Sequence, residues 1–303
     1  MKVLIVGLGS IATKHIYAIR EIDGESEIYA LRRSINADDK EGIINLYSFD
    51  DAKKIVFDFA IVSNPTSKHK ETIDMLLMLK CPLFIEKPVN DSIDLQDTIA
   101  EIEQNNVLTY IACNLRFLDA LQYVKNELQS SKKCINEVNV YCGSYLPDWR
   151  PGVDFRTTYS AQRNLGGGVN IDLIHEIDYM YWLFGQPLTI SKILKSNSSL
   201  RIDAIDYANY CFEYSDFCAS AVLNYYRKDY KRTLEIVFDD CTWLVDLQHN
   251  TITSEGREIF CSYQRIGDTY LAQMKYFYQL LQSNAKRSFN TIQEAVEVLK
   301  MSL

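Results

Sequence analysis

Two sets of residues in this sequence have types and spacings suited to chemistry. The first is Gly7-Leu8-Gly9-Ser10-Ile11-Ala12, which fits the pattern Gly-x-Gly-x-x-Gly/Ala. The first glycine allows a tight turn, the second lets the backbone approach a pyrophosphate, and small Ala12 lets a helix pack closely on its strand. A helix opening there presents free N–H groups and a positive dipole end to phosphates. Gly7, Gly9, Ser10, Ile11 and Ala12 are therefore the expected dinucleotide cradle. The second set is Asp172 and His175, which share a helical face with Tyr179. A carboxylate beside an imidazole fixes the ring tautomer and raises its basicity, leaving the other nitrogen to exchange a proton. Hydride exchange at a carbinol carbon needs such a proton to move. The pattern assigns His175 as the main acid–base group and Asp172 as its support.

Both sets need elements to hold them. Lys2–Val6 reads as a strand, Ile11–Ile22 as a helix and Ile28–Leu31 as a second strand. Val56–Val62, Leu83–Ile85 and Leu108–Ala112 read as further strands, with helices at His69–Leu79 and Ile93–Gln104. This alternation implies a parallel sheet covered by helices on both faces. After about Phe117 the pattern changes. A helix at Asp119–Leu128 leads to Val138–Tyr145, Ile190–Leu194, Tyr207–Tyr214, Phe217–Tyr226, Thr233–Phe238, Thr242–Leu247 and Ile259–Tyr263. Short turns between several of these runs imply antiparallel neighbours. One long helix, Val169–Phe184, lies between Gly166-Gly167-Gly168 and Gly185-Gln186-Pro187, and helices at Tyr270–Leu281 and Thr291–Met301 close the chain. The expected fold is an α/β Rossmann domain over residues 1–117, followed by an α+β domain with a mostly antiparallel open sheet over 118–303. The second domain is expected to bind substrate and to form oligomers.

The strand Ile28–Leu31 runs into Arg32-Arg33-Ser34. An Asp or Glu about 20 residues beyond the glycine turn usually holds the ribose 2′-hydroxyl of NAD. Here two guanidiniums stand in its place, and Arg pairs well with phosphate. Arg32, Arg33 and Ser34 therefore point to NADP(H) in preference to NAD(H).

A further cluster comprises Glu86-Lys87-Pro88, His15, Ser63-Asn64-Pro65-Thr66 with His69, and Asn114-x-Arg116-Phe117. With the glycine turn, Asp172, His175, Asp178 and Trp182-Leu183-Phe184-Gly185, it resembles the Gfo/Idh/MocA oxidoreductase family over essentially the whole chain. The resemblance implies that Lys87 faces the nicotinamide and the substrate hydroxyl, where it handles a proton beside His175. It also implies a cis peptide bond before Pro88. Ser63, Asn64, Pro65, His69, Glu86, Asn114 and Arg116 would line or support the cofactor. Glu86 would hold the ribose or Lys87. His69 orients the following helix or caps locally, and Asp178 serves packing or an ion pair. Many members of the family space the Asp and His four apart, whereas here the spacing is three.

The stretch Tyr145–Gly152, continued by Asp154–Ser160, is irregular and rich in arginine and aromatics. Such loops on a scaffold carry binding. Arg150 or Arg156 could clamp a carboxylate or phosphate, and Trp149 or Tyr159 could stack on a sugar ring. With Lys87, Asp172 and His175 these are the candidate substrate-binding residues. The loop resembles those of family members acting on amino-sugar or nonulosonate-type precursors in surface-glycan synthesis.

The net charge of −8 and pI near 5.2 argue against non-specific nucleic-acid binding. No apolar run is long enough to span a bilayer, and the apolar start reads as a strand and not a signal peptide. The 8 cysteines contain no Cys-x-x-Cys, and only 4 histidines accompany them, so no metal site is expected. They suit reduced, mostly buried thiols in a cytoplasmic protein. The Tyr-rich run Tyr207–Tyr226 implies a homodimer or homotetramer built on the second sheet. Two other classes fit the same cofactor turn: a non-redox enzyme that retains NAD to cleave glycosides, and a dinucleotide-sensing module without catalysis. Co-purifying cofactor that is not consumed marks the first. Cofactor binding without carbonyl reduction marks the second.

Overall fold

The computed structural model describes residues 1–34, 39–131 and 133–303. The chain begins with β1 (Lys2–Val6), α1 (Ser10–Ile22), β2 (Glu27–Leu31), β3 (Ile43–Leu46) and α2 (Phe49–Ala52). It continues through β4 (Phe59–Val62), α3 (His69–Leu77), β5 (Leu83–Ile85), α4 (Gln96–Gln104) and β6 (Thr109–Ile111). These strands form a parallel sheet in the order β3-β2-β1-β4-β5-β6. Val3, Leu4, Ile5 and all of β4 and β5 are buried. That is the signature of strands covered on both faces, where no polar alternation is needed. The strand order reverses between β1 and β4, the switch point at which open α/β sheets bind ligands beyond their carboxyl ends. β1 runs into Gly7 there, and β4 into Ser63-Asn64.

The chain continues through α5 (Asp119–Ser130), β7 (Ile135–Tyr145), α6 (Val169–Asp172), α7 (Ile174–Phe184), β8 (Thr189–Lys195), β9 (Tyr207–Glu213) and β10 (Cys218–Asn224). β11 (Tyr226–Phe238), β12 (Thr242–Asp246), β13 (Thr251–Ser254), β14 (Arg257–Cys261), α8 (Thr269–Gln282) and α9 (Ile292–Ser302) follow. The second sheet has the order β14-β13-β12-β11-β7-β10-β9-β8. Its pairs are antiparallel apart from β7 with β10, which run parallel. In β9 and β11 buried residues alternate with exposed or half-exposed ones over most of the strand. One face of the sheet is therefore covered and the other open, as expected of antiparallel sheets.

Three sequence-based expectations change. The helix expected over Val169–Phe184 is broken at Leu173 (φ −95°, ψ 32°) into α6 and α7, so Asp172 and His175 lie on either side of a bend. No proline or glycine sits at the break; it directly follows Asp172, whose carboxylate is pinned from outside the helix. The cysteines are not mostly buried. Cys81, Cys113 and Cys142 are, but Cys134, Cys211, Cys218 and Cys261 are exposed and Cys241 is intermediate. Cys211 and Cys218 fall on the outward side of β9 and β10, which the period of two assigns to solvent. The short strands β3 and β13 and the short helix α2 add elements that residue patterning did not reveal.

The chain divides into two compact units, Met1–Cys113 with Tyr270–Leu299 and Asn114–Thr269 with Lys300–Leu303. This differs from a single boundary at 117/118. The cause is aromatic: Phe277 on α8 meets Phe59 at 5.2 Å and Phe84 at 5.3 Å, edge to face, on the first sheet. Among the described residues no helix is long and apolar enough to cross a membrane.

Candidate active site

In the first unit the glycine turn is dictated by its neighbour. Gly7 has φ +98°, and a Cβ there would lie 2.3 Å from the amide nitrogen of Asn64. The Ser63 hydroxyl donates to the Gly7 carbonyl at 2.8 Å, locking the β4 end against the turn. Gly9 caps α1 without any side-chain hydrogen bond, and a Cβ at Gly9 would find nothing within 4 Å. The first-turn N–H groups of α1 are thus left for a ligand beside open space. Ala12 is fully buried under the turn. The Asn64 side-chain NH2 donates to Thr72 Oγ1 at 2.7 Å, whereas its buried Oδ1 accepts nothing among the described residues. A buried acceptor left over at the switch point fits the amide or hydroxyl donors of a nicotinamide nucleotide. Pro65 is exposed beside it.

Two histidines brace this region. The His15 Nε2–H on α1 donates to Glu86 Oε1 at 2.6 Å, with both groups buried. Glu86 is thus engaged with α1, a partner that the sequence did not suggest. The Lys87–Pro88 peptide is cis, and Lys87 is half-exposed at the end of β5. His69 places one ring nitrogen 2.9 Å from the Pro88 carbonyl and the other 2.9 Å from the Asn64 carbonyl. It straps the loop after β4 to the loop after β5. Burial holds its pKa below the ordinary value, against the opposing pull of the Asn64 and Pro88 carbonyls and the Glu86 charge.

Arg32 donates to Asn45 Oδ1 at 3.2 Å, and Asn45 in turn donates to Asp39 at 2.6 Å. Arg33 and Ser34 are exposed. Lys40 donates to the Thr13 hydroxyl at 3.2 Å, and that hydroxyl donates to the Gly9 carbonyl at 3.3 Å. Asn45 and Lys40 are additions that no motif signalled.

In the second unit α7 is buried almost all round, so its charges must be paired. Arg116, fully buried, donates through Nε and Nη2 to Asp178 at 2.9 and 2.7 Å. Arg232 meets Glu176 at 2.8 Å. Asp178 is therefore an ion-pair partner of Arg116, and the pairing ties the Asn114–Phe117 segment to α7. Asn114 donates to Thr269 Oγ1 at 2.6 Å and is likewise buried.

Asp172 Oδ1 accepts from the Tyr159 hydroxyl at 2.9 Å, and Oδ2 from the Tyr225 hydroxyl at 2.6 Å. The Asp172 charge, followed by burial, pushes the Tyr159 phenol well above its ordinary value, and burial first does the same for Tyr225. Both remain O–H donors. Trp149 is 39% exposed, and its indole N–H donates to Ser144 Oγ at 3.1 Å. The Arg150 guanidinium lies 5.8 Å from the centre of the Tyr159 ring. Arg156 is exposed, 3.8 Å from Asp154 and stacked on Phe155. His175 is buried at the start of α7. The structure thus gathers Trp149, Arg150, Tyr159 and Asp172, leaves Arg156 apart among solvated groups, and adds Tyr225. No group of three or more His, Cys, Asp or Glu able to hold a metal occurs among the described residues.

Residues 1–112 match the model of an oxidoreductase family with an NAD-binding Rossmann fold. That model is the Gfo/Idh/MocA family's, so this part of the chain is similar to it. One Gfo/Idh/MocA relative is the rhizopine catabolism protein MocA of Rhizobium meliloti. It is 25% identical over 144 residues, and the match covers 47% of this chain and 43% of that protein, less than half its length. Among solved structures, UDP-N-acetylglucosamine 3-dehydrogenase GnnA from Acidithiobacillus ferrooxidans superposes with a TM-score of 0.80 at 18% identity, covering 100% of this chain and 95% of that one. The myo-inositol 2-dehydrogenase of Lactobacillus plantarum gives 0.80 at 17% identity with the same coverages. At these identities the likeness is one of fold. That likeness of fold covers the second sheet as well as the matched domain.

Proposed function

We propose that this protein is an NADP(H)-dependent oxidoreductase that moves a hydride between the nicotinamide and a hydroxyl or carbonyl carbon of a sugar or sugar-derived molecule. The observation that carries the reading is the switch-point turn. Gly7 is pressed against Asn64, Gly9 faces open space before an uncapped helix, and the Asn64 Oδ1 is left over as an acceptor. MocA, the GnnA dehydrogenase and the inositol dehydrogenase act, by their names, on rhizopine, an amino-sugar nucleotide and a cyclitol. They support a polyhydroxylated substrate; amino-sugar or surface-glycan synthesis is the setting the loop suggests.

The nicotinamide, when bound, supplies or accepts the hydride. Gly7, Gly9, Ser10, Ile11 and Ala12 hold the pyrophosphate end, and Asn64 and its neighbours orient the cofactor. Arg32, Arg33 and Ser34 select the 2′-phosphate. His175 takes or returns the proton at the substrate hydroxyl, and Lys87 shares it. Asp172, held by two phenols, supplies a fixed negative charge beside the substrate loop. Trp149, Arg150 and Tyr159 bind the sugar. Eight free thiols suit a cytoplasmic setting, and the open face of the second sheet suits a homo-oligomer.

The test is a parallel fluorescence titration with NADPH and NADH, followed by a sugar screen with the tighter cofactor. Tight NADPH and weak NADH binding is the expected outcome, with Arg33→Ala costing NADPH about tenfold, or ~1.4 kcal/mol, and NADH little. Equal binding of both would overturn the phosphate selection. Binding without turnover of any sugar would overturn the enzymatic reading.

A further inference from the structure

Tyr225 belongs to no motif, yet it meets the substrate loop at several points. It is fully buried in the bend between β10 and β11. Its carbonyl accepts the Leu146 N–H at 2.8 Å, where the loop leaves β7. Its ring meets Trp149 edge-on at 5.4 Å, three residues further along the loop. Its hydroxyl donates to Asp172 Oδ2 at 2.6 Å, while Tyr159, at the far end of the loop, donates to the other oxygen at 2.9 Å. The carbonyls of Tyr159, Ser160 and Gln162 crowd Gly167, where a Cβ would lie 2.0, 2.8 and 2.8 Å from them. The end of the loop is thus pressed onto the glycine turn that opens α6, and α6 carries Asp172.

We infer that Tyr225 is a positioning residue that fixes the Asp172 carboxylate and the substrate loop 146–160 as one preorganised surface. Each oxygen of the Asp172 carboxylate accepts from one phenol, and each phenol belongs to a different part of the surface. Losing either O–H removes one hydrogen bond to the charged carboxylate and frees that end of the latch. Trp149 and Tyr159, each more than a third exposed, present ring faces whose spacing is set behind them by Tyr225 and Asp172. A loop ordered beforehand spares the substrate the entropy of ordering it. That consequence for the substrate rests on the function proposed above. The latch itself does not.

The experiment is hydrogen exchange by mass spectrometry on the full chain: wild type, Tyr225→Phe, Tyr159→Phe, the double variant, and Tyr226→Phe as control. Tyr225→Phe keeps the ring against Trp149 and removes only the hydroxyl. Exchange over 146–163 is expected to rise about tenfold in each single variant. The double variant should fall short of the product of the two effects, because both phenols act on one carboxylate. Peptides from 1–31 should stay at wild-type rates, as should every peptide of Tyr226→Phe. Unchanged exchange over 146–163 in Tyr225→Phe would overturn the inference. So would a uniform rise across the chain, the mark of a merely structural residue. Neither readout uses cofactor or sugar, so failure of the oxidoreductase reading in the NADPH titration would leave this result intact.

Discussion

His15 on α1 and Glu86 at the end of β5 meet at 2.6 Å in the interior of the first unit. The helix that opens on the glycine turn and the turn that carries Lys87 are therefore joined by one charge-assisted hydrogen bond. Glu86→Ala strands a buried imidazole. It is expected to cost about 1–3 kcal/mol of stability and to weaken NADPH binding roughly tenfold. Urea unfolding and fluorescence titration of the same preparation check both.

Gly7→Ala tests the turn. With φ +98° and the Asn64 nitrogen 2.3 Å from the new Cβ, neither the conformation nor the space is available. The expected result is loss of measurable NADPH binding and destabilisation of about 2 kcal/mol or more. Gly9→Ala has open space at the same turn, so it should fold normally and lose only affinity. Equal stability loss in the two variants would refute the packing account.

Arg116 and Asp178 test whether a fully buried ion pair stabilises α7. Asp178→Asn or Arg116→Met removes one partner of this buried pair and should cost about 3–5 kcal/mol. Replacing both with apolar residues of similar volume should recover most of that loss. Denaturant midpoints of the two single variants and the double variant decide the matter. NADPH affinity should follow the folded fraction alone, because Arg116 has no solvent-facing atoms.

His69 gives a pH dependence of known sign. Burial lowers its folded pKa below 6.5, its ordinary value, so the unfolded chain binds its proton more readily. Its contribution to stability is complete above about pH 6.5 and is lost as the pH falls below that value. The stability of wild type relative to His69→Gln should therefore decline on acidification from pH 7 to 5. A His69 proton resonance with a midpoint at or above 6.5 would contradict the burial argument.

The first sheet was legible because its information is local. Lys2–Val6 followed by a glycine turn marks β1 and α1, and β4 and β5 announce themselves as apolar runs. Edge strand β3, Ile-Ile-Asn-Leu, is too short for any periodicity to speak. The bend at Leu173 was hidden because residues 13 and 53 positions away hold Asp172. Tyr225 was hidden for the same reason: its carbonyl and ring act on the loop at Leu146 and Trp149, and its hydroxyl acts on Asp172, all far from it in sequence. The ion pair of Arg116 with Asp178 was only half legible: an ion pair for Asp178 was expected, but its partner 62 residues away is set by burial.

The Phe59 and Phe84 faces of the first sheet are completed by Phe277, which arrives on α8 after more than half the chain has intervened. A ribosome therefore delivers all the parallel strands long before it delivers their lid. In the interval the nascent sheet carries an aromatic surface with its eventual cover still unsynthesised, which a chaperone would recognise. A fragment ending near Cys113 would keep the dinucleotide fingerprint and still be an unsound reagent. Any excised cofactor module must carry Tyr270–Leu299 grafted back onto it.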